Sequence, residues 1–275
     1  MYGTIFFASV QVTGRMVTRV MKSVESQYKK LKDIVYKECG INLHEGKDEL
    51  LKSRLSKRLR IKKIDSVDTY IKLIQNDKNE LSNFIDTVTT NHTFLFRENR
   101  HCEFIKQALN ISTHLKIWSS ASSSGEEPYS IAVQLIESGY KFNMFASDIS
   151  NEMLKLAQRG IYTMDKARQV PVPILHKYFQ KGHGKFNGSI RVKNEVKKFI
   201  SFGKHNLIED PSPGLFDVIF CRNVMIYFDA GTKQDLIKKL YNSLKDGGYF
   251  VIGAAEGLVG LEHDFKYIEP SIYIK

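Results

Sequence analysis

The chain has 275 residues, 42% hydrophobic and 26% charged, with 41 lysines and arginines against 30 aspartates and glutamates, a formal net charge of +11. This composition excludes a disordered or collagen-like chain and allows one large domain with a smaller companion, while the basic balance points to an acidic partner: nucleic acid, anionic lipid or a glutamate-rich protein surface. Three cysteines, Cys39, Cys102 and Cys221, are odd in number and far apart, which argues against a disulfide framework and a paired-cysteine metal site and fits a reducing cytoplasm.

The opening MYGTIFFASVQVTGR has an apolar patch but no basic n-region, and it is too short and interrupted to span a bilayer. Residues 1–20 therefore read as a poorly ordered extension, with Met21 as an alternative start. Val24, Tyr28, Leu31 and Val35 then recur at helical spacing, and Gly40 ends the run as a C-terminal cap does. In KDELLKSRLSKRLR, Leu51, Leu55 and Leu59 make one stripe, and the other faces carry Lys52, Arg54, Lys57, Arg58 and Arg60. Those charges read either as a solvated helix face or as a surface for an acidic partner. DSVDTYIKLIQND and NELSNFIDTVTT predict two further helices, so residues 21–92 form a basic all-α domain.

Beyond TNHTFLFRENRH the pattern changes. Short apolar runs, LKIWSSA, FNMFASD, FDVIFCRN and GYFVIGAA, alternate with helical stretches such as NEMLKLAQRG and TKQDLIKKLYNSLKDGG, the grammar of an α/β domain with a mostly parallel sheet over 93–275. HKYFQKGHGKFNGSIRVKNEV interrupts it with two strand-like runs around a glycine-bearing turn, an antiparallel β-subdomain inserted at about 174–197.

Ligands of open α/β sheets bind at the carboxyl ends of the strands, which directs attention to SSASSSGEEPYS after the first one. Its small residues and Gly125 permit close approach to the backbone, and Pro128 suits a first helical turn. One glycine followed by Glu126 and Glu127 does not suit a pyrophosphate and favours a cation; S-adenosylmethionine, with an ammonium and a sulfonium, fits. The two glutamates also read as complements to the helix dipole. Roughly twenty residues on, Asp148 ends the second strand, where it reads as the acceptor of a ribose's hydroxyls or as a cap for the next helix.

In TTNHTFLFRE, WSSASSSGEEPYSIA, FASDISNEMLKLAQRGIY, VPILHKYF, HNL and FDVIFCRNVMIYF, the chain resembles the CheR-type chemotaxis receptor glutamate methyltransferases, in the family's order from about Leu31 to Tyr273. The resemblance implies a class I S-adenosylmethionine-dependent methyltransferase domain, Rossmann-like, with an N-terminal all-α domain and an inserted antiparallel β-subdomain. It assigns Asn91, Thr93, Arg97, Glu127, Asp148, Asn206, Leu207, Arg222 and Asn223 to the cofactor site, puts Arg97 and Tyr227 nearest the transferring methyl, and implies no metal. The implied reaction makes glutamyl methyl esters on chemoreceptor cytoplasmic helices and S-adenosylhomocysteine as product, by a cytoplasmic monomer recruited to receptor arrays. The basic helix, through Arg54, Lys57 and Arg58, is the expected contact for the methylation helices, and the hairpin for a receptor tail, as in some family members.

Three departures stand out: Leu95 replaces a second aromatic, Ser122 to Ser124 replace a Cys-Ser-Thr stretch, and Ala254-Ala255 replace the His-Ser of GHSEGL. A nucleic-acid methyltransferase, which the charge would suit, and a cofactor-binding regulator without catalysis, which the alanine pair would suit, are the alternative readings. A glutamate side chain, with an ordinary pKa of about 4.3, is already ionised at neutral pH and needs no general base, which accounts for the lack of a catalytic triad among the loop residues.

Overall fold

The computed structural model describes residues 14–43, 48–88 and 93–275. The first helix, α1, runs Gly14–Cys39 and so takes in part of the segment read as an extension; residues 1–13 lie outside the described residues. Leu31, Val35 and Cys39 line its buried side, and Gly40 ends it in the left-handed region at φ +69°. A Cβ at Gly40 would sit 2.9 Å from Ile208 Cγ1, so the cap is also where this helix meets the second domain.

Helix α2 spans Asp48–Lys62, α3 Val67–Asn76 and α4 Lys78–Val88. Leu51 and Leu55 are buried as the stripe predicts, but two of the cations expected to face a partner turn inward. The Arg58 guanidinium donates to both oxygens of the fully buried Glu80, which also receives Lys62 at 2.9 Å and the Tyr70 hydroxyl at 2.8 Å. Arg54 donates to the Thr87 carbonyl at 2.5 Å. A helix packed on two neighbours has only one free face, and here that face keeps Lys57 and Arg60. Burial alone would raise the Glu80 carboxyl; the bonds from Arg58, Lys62 and Tyr70 outweigh it and hold the group below its ordinary range.

The second domain runs α5 (Arg100–Ala108), β1 (His114–Ser120), α6 (Glu126–Glu137), β2 (Lys141–Asp148), α7 (Asn151–Arg159), β3 (Ile161–Thr163), α8 (Val172–Tyr178), β4 (Phe179–Lys181), β5 (Ser189–Val192), α9 (Asn194–Lys197), β6 (Ile200–Lys204), β7 (Phe216–Cys221), α10 (Ala230–Asn242), β8 (Leu244–Ile252), β9 (Lys266–Glu269) and β10 (Ile272–Ile274). Seven strands form one sheet in the order β6-β2-β1-β7-β8-β10-β9, parallel from β6 to β8 and antiparallel through β10 and β9. The four predicted apolar runs are the central strands β1, β2, β7 and β8, continuous because both faces are covered. Between β1 and β7 the chain leaves in opposite directions, which opens a crevice at their carboxyl ends.

The inserted hairpin is β4 and β5, paired Phe179↔Val192 to Lys181↔Ile190, with β3 as an unforeseen third strand on the other side of β5. The two domains dock along α4 and α7, where the Asp86 carboxylate takes hydrogen bonds from Ser150 and the Glu152 backbone. Replacing Glu80 by alanine strands Arg58 and should lower unfolding stability by about 3 kcal/mol. A denaturation midpoint within error of the parent protein would show the cluster to be dispensable.

Candidate active site

A cavity opens at the carboxyl ends of β1, β2 and β7, and both domains wall it. Cys39, Ile41, Leu43 and Val88 come from the helical side, Thr93, Phe94, Arg97 and Asn99 from the linker, Cys102 from α5, Glu127, Ser130, Ile131 and Gln134 from α6, and the rest from the ends of the strands and the loops after them. Thr93, Arg97, Glu127, Asp148, Asn206, Leu207, Arg222, Asn223 and Tyr227 all line it. Asn91 lies outside the described residues.

The serine-rich stretch is the loop between β1 and α6, and it wraps the end of β2. Ser123 adopts φ +49° and directs its N–H to Asp148 Oδ2 at 2.8 Å, while Asp148 Oδ1 accepts from the Ser150 N–H at 2.9 Å. With the Ile149 N–H as a third backbone donor, the carboxylate keeps acceptor capacity for a hydroxyl. The helix cap is Ser150, whose hydroxyl accepts from the Met153 N–H, so Asp148 is not the cap. Burial pushes the Asp148 carboxyl up to about 6, against the pull of its backbone donors.

Gly125 does a different job from the one its sequence position suggested. Its φ is +92° and an added Cβ would lie 2.8 Å from Ala157 Cβ, so it admits α7 rather than a ligand. Glu126 also faces away from the cavity, fully buried against the Lys166 ammonium and the Ser124 hydroxyl.

Glu127 faces the cavity, held by the Ser119 hydroxyl at 2.7 Å and Arg222 at 3.1 Å. Burial pushes its carboxyl upward even with Arg222 beside it. Arg222 also reaches Glu98 at 2.9 Å and the Arg97 carbonyl at 3.0 Å. It is thus a buried structural ion pair and a cavity wall together. Burial would lower its pKa, but the charges of Glu127 and Glu98 more than offset this and raise it.

Asn206 has its side-chain amide occupied within the protein, donating to the Glu38 carbonyl at 2.7 Å and accepting from the Ile208 N–H at 3.0 Å. It therefore shapes the wall and joins it to α1. Lys239 of α10 supports the same turn, donating to the carbonyls of Leu207, Ile208 and Asp210. Tyr227 sits in a short 3₁₀ turn, and its carbonyl accepts from the Asn42 N–H of the helical domain at 2.8 Å. Burial keeps its phenol protonated by raising its pKa, with Arg97 acting the other way. Leu95 is fully buried in the core beneath the linker, where any apolar side chain of suitable size serves.

Sequence reasoning passed over Glu98, His205, Asn99 and Ser122. Among the described residues, Ser122 Oγ, Asn99 Oδ1, His205 Nε2 and Arg222 Nε are buried cavity-wall atoms with no hydrogen-bond partner in the protein. Buried polar atoms in this state take a hydrogen bond from a polar ligand or from ordered water. No group of three or more His, Cys, Asp or Glu side chains is placed to hold a metal among the described residues.

Residues 91–274 match the family model described as CheR methyltransferase, SAM binding domain, and residues 26–89 match CheR methyltransferase, all-alpha domain. The chain is 36% identical to chemotaxis protein methyltransferase 2 of Pseudomonas aeruginosa, over 90% of this chain and 91% of that protein. It is 33% identical to the chemotaxis protein methyltransferase of Salmonella typhimurium, over 94% and 92%, and 34% identical to that of Escherichia coli, over 90% of each.

Asp148 titrating near 6 sets a pH dependence for a ligand that needs its ionised form. With the pKa raised in the free protein and lowered again by bound hydroxyls, affinity must fall as pH drops through that value. S-adenosylhomocysteine should bind about tenfold more weakly at pH 5 than at pH 8 by calorimetry. An affinity flat across that range would remove Asp148 from the contact.

Proposed function

The chain belongs to the CheR methyltransferase family, and from that premise we propose that it transfers a methyl group from S-adenosylmethionine to glutamate side chains of chemoreceptor cytoplasmic helices. The observation that supports this most is the pair of carboxylates, Glu127 and Asp148, that the cavity wall presents beside the guanidiniums of Arg97 and Arg222. Carboxylates suit a donor that brings an ammonium and ribose hydroxyls, and they repel a nucleotide phosphate. The orphaned polar atoms and the open acceptor sites of Asp148 fit the same donor.

When bound, S-adenosylmethionine supplies an electrophilic methyl on a sulfonium; the glutamate carboxylate forms the O–C bond as the C–S bond breaks, and the electron pair leaves on sulfur as a neutral thioether. No proton moves, so the site needs no base. What the protein contributes is alignment, worth up to about 7–11 kcal/mol, and exclusion of water from the attacking oxygens. In the proposed arrangement Asp148 holds the ribose and Glu127 faces the ammonium end. Thr93, Asn206, Leu207, Arg222 and Asn223 complete the wall, with Asn91 joining them on the family resemblance. Arg97, at the mouth and 30% exposed, and the phenol of Tyr227 orient the incoming carboxylate. Arg97 also lies 3.6 Å from Glu98, which restrains it from a full salt bridge to the nucleophile.

The alanine pair does not speak for an inactive protein. Both alanines are exposed, and the contact made there is a backbone one, Ala254 N–H to Glu98 Oε2 at 3.2 Å, which any side chain preserves. The nucleic-acid reading is not favoured by relatives that are chemotaxis methyltransferases over nine-tenths of their length.

On this reading the enzyme works as a cytoplasmic monomer at receptor arrays. The outward charges Lys57 and Arg60 attract the glutamate-rich receptor helices, and the β4–β5 hairpin, with Phe186 46% exposed at its turn, takes an extended receptor tail as an added strand.

Radiolabelled methyl transfer to membranes bearing the cognate receptors should give products that release methanol in mild alkali; alkali-stable label would refute glutamyl esters. In the partner arm, reversing Lys57 and Arg60 to glutamate should cut receptor association severalfold and flatten its salt dependence. Deleting Gly182 to Gly188 should abolish tail binding while S-adenosylhomocysteine still binds. Unchanged association in either variant would rule out that surface.

A further inference from the structure

The loop after β8 carries one carboxylate whose surroundings are built for it. Glu256 Oε2 accepts from the N–H groups of Asn223 at 2.8 Å and Gly253 at 2.7 Å, and Oε1 from Val224 at 3.0 Å, Met225 at 2.7 Å and Ile226 at 3.3 Å. Four consecutive N–H groups can face one point only if the chain curls tightly, and Asn223 provides the curl with φ +60°, a conformation uncommon for a side-chain-bearing residue. Gly253 makes the room: a Cβ there would lie 2.5 Å from Asn223 Nδ2 and 2.8 Å from Glu256 Oε2. The turn so gathered is the one that brings Asn223, Val224 and Tyr227 to the cavity.

We propose that Glu256 is a positioning residue for methyl transfer, whose carboxylate fixes the Asn223–Tyr227 turn by collecting five backbone donors. This rests on the methyltransferase reading above. Glutamate is required because both its oxygens accept. A glutamine of the same shape offers one oxygen and presents an NH₂ to N–H groups that need acceptors, which leaves at least two part-buried donors facing a donor. Asn223 would relax from its left-handed conformation and Tyr227 would lose its register at the mouth. The turn's other end is tied independently, through the Tyr227 carbonyl and Asn42, so loosening one end shifts the side chain without releasing the segment.

The test is a double-mutant cycle in the full chain with Glu256→Gln, Tyr227→Phe and both together. It follows turnover per folded molecule on receptor membranes, S-adenosylhomocysteine affinity by calorimetry, and thermal unfolding. Glu256→Gln should lower turnover about tenfold or more and weaken S-adenosylhomocysteine severalfold, and the double variant should lose far less than the product of the single losses. Multiplicative losses, or normal turnover in the folded fraction, would overturn the proposal and leave Glu256 a stabilising residue only. If Glu256→Gln does not fold, Gly253→Ala crowds the same turn from the other side and must show the same non-additivity with Tyr227→Phe. A parent protein that transfers no methyl sinks the reading above instead, and the calorimetric comparison of parent and Glu256→Gln still decides the latch: equal affinities would overturn it.

Discussion

The site depends on a single buried guanidinium. Arg222, at the end of β7, is only 4% exposed in its side chain, and it joins Glu98 of the linker, Glu127 of α6 and the Arg97 carbonyl. Taking such a cation out of water costs several kcal/mol, which is recovered only where its partners are well placed. Two carboxylates and a carbonyl meet that condition. Removing either carboxylate would leave a buried guanidinium N–H without its acceptor, so the three segments are bound to one geometry. That over-determination explains why the linker tolerates Phe96 at φ +64° and Glu98 at φ +52°, conformations a free chain would leave.

The same logic extends to the boundary between the domains. The cavity has no complete wall in either one, and three of the contacts across the boundary land on a residue in or beside it. Glu38 receives the Asn206 amide, Asn42 donates to the Tyr227 carbonyl, and Asp86 is hydrogen-bonded where α7 begins, two residues beyond Asp148. Polar contacts of this kind are directional, so they fix how the helical domain sits as well as that it sits. Whatever moves α1 or α4 therefore moves the wall of the pocket.

The sheet was legible where both faces are buried, because β1, β2, β7 and β8 read as unbroken apolar runs. β6 was not, since ISFGK contains Gly203, a poor strand residue kept because a Cβ there would lie 2.8 Å from the Phe145 ring. β9 is an exposed edge without apolar periodicity, and β3 has three residues. Among the cavity-lining residues, Asp148, Arg222 and Asn223 were legible because they end or directly follow strands, and Glu127 because it lies in the first turn of the helix after one. The inward turn of Arg58 could not, since a helical wheel shows which face is charged but not which neighbour covers it. Glu256 escaped notice for a related reason: its partners are backbone groups, identical in every residue, and only the fold brings them together.

A physical thread connects Asp148 with Glu127. Both carboxyls are pushed upward by burial, with the nearby charges of Asp86 on Asp148 and of Glu98 and Glu256 on Glu127 adding to it, so the ligand-free site holds its acids in an unfavourable state. The fold pays for this elsewhere, in the Glu80 cluster and the apolar core beneath the sheet. On the proposed reading, a cationic donor stabilises both ionised carboxyls when it enters, and a neutral thioether product does so less. The product then lacks the sulfonium contribution that held its precursor, and the electrostatics that draw the donor in also favour release once the methyl has gone.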